Sequence, residues 1–130
     1  MPREIIHIVL IDDDDITNHI HQTVISSWEG ERVSMKTYDE ASEAIKELSQ
    51  YKTSVHQGTD YIFLDINMPG MNGWQFLEAF EKLELNIPVF VLSSSINVAD
   101  RERATSHNSV AGYITKPLNV DILEDLGLFN

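Results

Sequence analysis

The sequence predicts an α/β fold, a parallel sheet with helices on both faces. Three observations lead there. Short apolar blocks recur at Ile5 to Ile11, Tyr61 to Leu64 and Pro88 to Leu92. Parallel strands buried on both faces read as continuous apolar runs of this kind. Segments with helical spacing lie between them. The order strand then helix repeats five times in 130 residues, and that alternation calls for a parallel sheet.

Ile5 to Ile11 is the first strand. Ile16, Ile20, Val24 and Trp28 follow at four-residue steps and predict the core face of a first helix. Asp14 or Asp15 caps that helix. Val33 to Tyr38 alternates, as an edge strand does. Ala41, Ala44, Ile45 and Leu48 stripe a second helix. Residues 50–60 form the one long loop. Tyr61 to Leu64 is the third strand. The turn residues Met68, Pro69, Gly70, Met71, Asn72 and Gly73 come next, with glycine and asparagine supplying positive φ. Trp74, Phe76, Leu77, Phe80 and Leu83 then line a third helix. Pro88 to Leu92 is the fourth strand. Residues 97–108 are polar and predict a mostly exposed helix. Ala111 to Thr115 is the fifth strand. Residues 119–126 form a short last helix that ends at Gly127. No repeat, linker or second domain is visible, so the reading is one domain over residues 1–130.

Composition removes several function classes. The formal charge is −12, and the nine basic residues are scattered. A phosphate backbone needs clustered lysine and arginine, so no nucleic-acid surface is expected. No run is long enough to span a membrane. The N-terminus lacks a signal peptide, and there is no cysteine, which together suggest the cytoplasm. His19 and His21 are two apart and point to different helix faces, so they are no metal pair. His56 sits in the long loop.

In a parallel sheet the binding site lies beyond the carboxyl ends of the strands. The residues at those ends are Asp12 and Asp13, then Asp65, then Ser93, Ser94 and Ser95, then Lys116 and Pro117. Three carboxylates against one ammonium leave a costly excess of negative charge. Either a carboxyl pKa rises or a divalent cation binds. A donor set of hard oxygens without histidine or cysteine favours Mg²⁺. Mg²⁺ shares its shell with water and phosphate oxygens, and Ser93 and Lys116 are suited to hold a phosphate. Ser94 and Ser95 more simply begin a loop.

Four motifs in these positions match one family. They are Asp12-Asp13, "LDINMPGMNG" at 64–73, "VLSSS" at 91–95 and "GYITKP" at 112–117. Together they span nearly the whole chain, which resembles the response-regulator receiver domain, the phospho-accepting partner of histidine kinases in two-component systems. The resemblance implies a flavodoxin-like doubly wound (βα)5 fold with strand order 2-1-3-4-5. It implies that Asp65 is the phosphoacceptor, working with Lys116 and Ser93. It implies Mg²⁺ held by Asp12, Asp13, Asp65 and the backbone carbonyl of Asn67. Ser93 and Tyr113 take the family's switch positions, and Pro117 is its cis-proline candidate. The implied phosphodonor is a histidine kinase or a histidine phosphotransfer protein. The downstream protein is unnamed, with no nucleic-acid or membrane partner and no attached output domain. The chain would then be a signalling phosphoprotein rather than an enzyme, beyond self-phosphorylation from small donors and autodephosphorylation.

Gly70, the long loop at 50–60, a slightly long segment between Ser93 and Lys116, and the short acidic last helix depart from the family pattern. Two other readings compete. A pseudo-receiver would be an interaction module that is never phosphorylated. A haloacid dehalogenase-like phosphatase needs a second aspartate two residues after the nucleophile, where this chain has Asn67.

Overall fold

The structure is a computed structural model that describes residues 5–50, 58–68, 70–94 and 97–127. The expectations placed on Pro69, Ser95, His56 and most of the 50–60 loop lie outside those residues. The elements are β1 (Ile6–Ile11), α1 (Asp15–Glu29), β2 (Val33–Tyr38), α2 (Ala41–Ser49), β3 (Tyr61–Asp65), α3 (Gly73–Lys82), β4 (Val89–Ser93), α4 (Val98–Thr105), β5 (Val110–Thr115) and α5 (Val120–Leu126). A short 3₁₀ turn at Gly30–Arg32 joins α1 to β2.

All five strands are parallel, in the order β2-β1-β3-β4-β5. This is the doubly wound order that the resemblance implies. β2, the alternating segment, lies at an edge of the sheet, as its pattern predicts. The registers pair Ile11 with both Tyr38 and Leu64, and Ser93 with Thr115. Residues that follow these positions therefore emerge at one level, along one edge of the sheet.

Alternation along β1 divides the core. Val9 and Ile11 face one side with Ala41, Ala44, Leu48, Phe76, Leu77 and Phe80, beneath α2 and α3. Ile8 and Leu10 face the other with Ile25, Phe63, Phe90 and Leu123, beneath α1 and α5. The stripes expected for α2 and α3 turn inward, with Ile45, Trp74 and Leu83 at their margins. α4 is polar, as expected, and Ala104 is its buried residue.

The stripe expected for α1 holds in its second half, where Val24 and Trp28 pack against the core, and fails in its first. Ile16 is 71% exposed and Ile20 46% exposed, while Asn18, His21 and Ile25 are the buried residues. The reason is geometric. Steps of four residues advance about 40° past each full turn, so a line of four such residues wanders about 120° around the helix. Its end near Trp28 touches the core, and its start at Ile16 points about 180° away from Ile25.

The turn before α3 also differs from expectation. Gly70 has φ 71°, but Asn72 has φ −81°. Asn72 is instead the helix cap. Its side chain accepts from the Gln75 N–H at 3.0 Å, and the Gln75 side chain accepts from the Asn72 N–H at 2.9 Å. This reciprocal capping box satisfies two donors that the helix cannot.

Candidate functional site

The acid run after β1 splits in two, as its spacing suggests. Asp14 caps α1, accepting from the N–H of Ile16 at 2.9 Å and of Thr17 at 3.4 Å. Asp15 opens the helix near its positive end. Asp12 and Asp13 stand at the strand end, Asp12 buried and Asp13 exposed. The Asp12 N–H donates to the Tyr38 carbonyl at 3.1 Å, which ties the end of β1 to the end of β2. The Asp12 carboxylate also accepts from the Asp14 N–H at 3.0 Å.

Asp65 closes β3 beside them, buried. Carboxylate oxygens of Asp12, Asp13 and Asp65 lie within 4.8 Å of one another. Lys116 follows β5, and its Nζ is 2.7 Å from Asp12 and 3.4 Å from Asp65. The lysine thus leans closer to Asp12 than to Asp65, which the sequence does not reveal. The Asn67 N–H, at 3.3 Å, also points to the Asp65 carboxylate.

Charge at this edge is unevenly balanced. Burial, reinforced by the Asp12 charge, pushes the Asp65 carboxyl up to about 6, against the pull of Lys116 and the Asn67 N–H. Burial opposes the charge on Lys116, but its hydrogen bond to Asp12 and the Asp65 charge outweigh that, and its pKa rises. One ammonium is therefore held firmly among three carboxylates, and it does not neutralise them. An all-oxygen set with excess negative charge suits a hard divalent cation.

The other expected residues gather at the same edge. Ser93 ends β4 fully buried, and its carbonyl accepts from the Lys116 N–H at 2.9 Å. The Lys116–Pro117 peptide is cis. Tyr113 is half-buried on β5, packed against Ile66, Val91 and Ala104. The Arg101 guanidinium of α4 lies 5.4 Å from the centre of its ring. The loop after β3 is held by Gly73, whose N–H donates to the Ile66 carbonyl at 3.1 Å. A Cβ on Gly73 would come within 2.4 Å of the Ile66 Cα, so only glycine lets α3 start this close to Asp65.

Asn18 and His21 were missed as site neighbours. Both are buried on α1. The Asn18 Nδ2 donates to the Asp12 carbonyl at 2.9 Å. Burial lowers the His21 pKa, with the Lys116 charge adding to it and the Asp12 charge opposing it. The available signal was their spacing with Ile25, at i, i+3 and i+7, which polarity alone argued against. A cavity of about 500 Å³ near Glu81, His107 and Ser109 lies towards the other edge of the sheet, where β4 and β5 begin.

The chain is 32% identical to a two-component response regulator from Cytophaga hutchinsonii, whose crystal structure matches with a TM-score of 0.83 over 95% of both chains. It is 28% identical to the phosphorylated cyanobacterial phytochrome response regulator RcpA, with a TM-score of 0.73 over 94% of this chain and 88% of that one. The transcriptional regulatory protein GlrR of Escherichia coli is 26% identical over 117 residues, and the cell cycle transcriptional regulator CtrA of Caulobacter vibrioides is 28% identical over 114. Those two alignments take in 90% and 88% of this chain but 24% and 45% of the relatives, so it spans less than half the length of either. The family profile of the response regulator receiver domain matches residues 8–126, from β1 to α5. With the sheet order, the acid cluster and that match in agreement, the chain belongs to the response regulator receiver domain family of two-component signalling.

Proposed function

We propose that this chain is a phospho-accepting receiver in which Asp65 takes a phosphoryl group from a phosphohistidine. One observation carries the reading: the carboxylates of Asp12, Asp13 and Asp65 converge within 4.8 Å with the Lys116 ammonium among them. Receiver domains bind Mg²⁺ in an acidic pocket and take phosphoryl groups from histidine kinases. They are signalling domains, generally not enzymes. A structural relative at 28% identity, RcpA, is known in its phosphorylated form, which supports the same chemistry here.

In this reading Asp12, Asp13, Asp65 and the Asn67 carbonyl would hold Mg²⁺, which would supply positive charge to balance the phosphoryl group. The Asp65 carboxylate is the nucleophile. Its oxygen forms a bond to phosphorus, the bond from phosphorus to the donor imidazole breaks, and that electron pair returns to the imidazole nitrogen. Lys116 lies 3.4 Å from Asp65 and stabilises the negative charge on the arriving group. Ser93 serves as a hydroxyl ligand to the same group. Tyr113 then responds, shifting the α4–β5–α5 surface between two states that a partner protein distinguishes. The whole chain acts as one receiver unit, and its donor is a histidine kinase or a histidine phosphotransfer protein.

Acetyl phosphate with Mg²⁺ tests this directly. The chain should gain one phosphoryl mass, labile to hydroxylamine, and Asp65→Asn should not. Beryllofluoride should bind the parent and not the variant. Repeated turnover of phosphate esters would favour a phosphatase. No modification and no Mg²⁺ binding would leave an interaction module.

A further inference from the structure

We propose that Asn18 is a positioning residue for the acid turn. It acts by fixing the peptide that joins Asp12 to Asp13. The proposal rests on the reading of those aspartates as metal ligands. Asn18 is 4% exposed, in the core-facing stripe of α1. Its Nδ2 donates to the Asp12 carbonyl at 2.9 Å and lies 3.4 Å from the Tyr38 carbonyl. An amide NH₂ has two donors, and here both address strand ends. The Tyr38 carbonyl also accepts from the Asp12 N–H at 3.1 Å. The ends of β1 and β2 and the first turn of α1 are thereby tied at one point.

The Asp12 carbonyl belongs to the same rigid plane as the Asp13 N–H. Holding that oxygen sets the plane, and the plane sets how the Asp12 and Asp13 side chains diverge. Asp12 is already held through its own carboxylate by Lys116 at 2.7 Å. Asp13 is exposed, and no side-chain bond of its own fixes its direction among the described contacts. The bond from Asn18 to the Asp12 carbonyl supplies that direction before any cation arrives.

Asn18 is a poor choice on grounds of stability alone. Asparagine is a weak helix former. Its Oδ1 is buried without a hydrogen-bond partner among the described residues, which is costly. Meanwhile Ile16 and Ile20 of the same helix face solvent. Local rules broken in this way are a mark of functional positions.

The experiment combines two measurements on the whole chain. Mg²⁺ affinity is measured by calorimetry for the parent, Asn18→Ala and Ile25→Val. Backbone ¹⁵N order parameters at Asp13 and Asp14 are measured without metal. Asn18→Ala should weaken Mg²⁺ binding about tenfold, as removal of outer-shell partners does. Its Asp13 order parameter should fall from about 0.85 towards 0.6. Ile25→Val removes only packing, so it should lower the melting temperature and leave both readouts unchanged. Asn18→Leu keeps volume, removes both donors and takes the place of the alanine variant if that does not fold. Affinity within twofold of the parent, or order parameters that do not change, would overturn the proposal. So would equal effects from Ile25→Val. If the parent itself binds no Mg²⁺, the metal reading falls, and the order parameters alone decide the positioning role.

Discussion

At Asp65 burial and charge conflict directly. Its carboxyl titrates near 6, against about 4 for an unfolded aspartate. The folded state therefore holds this proton more tightly than the unfolded state does. The resulting stability is fully present below pH about 4 and is lost as pH rises through 6. Without metal, Asp65→Asn should gain stability relative to the parent between those limits, by on the order of 2–3 kcal/mol. Urea denaturation of both proteins at pH 4, 5, 6 and 7 measures the difference, and a constant gap would refute it. Glu81 pulls the other way in both proteins. Burial raises its pKa, but its bonds to Ser109 and His107 outweigh that and lower it, so only the difference isolates Asp65. At this scale much was legible. Asp12, Asp65 and Lys116 each end an apolar run, and a polar residue there has few places to go but the sheet edge. Asn18 and His21 were not legible, because their helical spacing with Ile25 competes with a more apolar line at Ile16 and Ile20, and polarity argues for the wrong one.

Elements differ in how far their sequences determine them. α2 and α3 carry compact apolar stripes with little drift, and they fold as their spacing predicts. α1 offers two faces, and packing chose the one with a single isoleucine, Ile25. Ile25→Ala should cost about 2–4 kcal/mol. Ile16→Ser should change stability by less than about 0.5 kcal/mol. Thermal denaturation of the two variants checks this, and similar losses would restore the rejected stripe. Gly73 opens α3 in close contact with the Ile66 backbone. Gly73→Ala must displace Ile66 backbone beside Asp65, so it should cost about 1–3 kcal/mol and also weaken phosphorylation by acetyl phosphate. Normal labelling in a folded Gly73→Ala protein would show that the loop tolerates the shift. α4 is held differently. Arg103 lies 4.2 Å from the centre of the Trp74 ring, Arg101 reaches Tyr113, and His107, just past its end, contacts Glu81 at 3.1 Å. Ala104 is its buried residue, and these polar contacts help to hold the helix beside the proposed switch.

At the scale of the whole molecule, the fold gathers residues from 12 to 116 at one edge. Cation binding there should stabilise the entire domain by mass action. Mg²⁺ at 10 mM should raise the melting temperature of the parent. Asp13→Asn should lose most of that increase, and Asp15→Asn should keep it, because Asp15 belongs to the start of α1. Equal losses would undo the division of the acid run into two pairs.

By itself the sequence determined the class of fold, the order of its elements and the strand-end chemistry. Apolar runs must be buried, and the polar residues that end them must meet at an edge. The tertiary structure alone decided which face of α1 is buried. It also placed Lys116 nearer Asp12 than Asp65, brought Asn18 onto the Asp12 carbonyl, and left α4 held by side-chain clamps. The physical reason is common to all four. Each depends on the rotation or approach of one element against another, and local spacing leaves that undetermined until the sheet and its helices pack together.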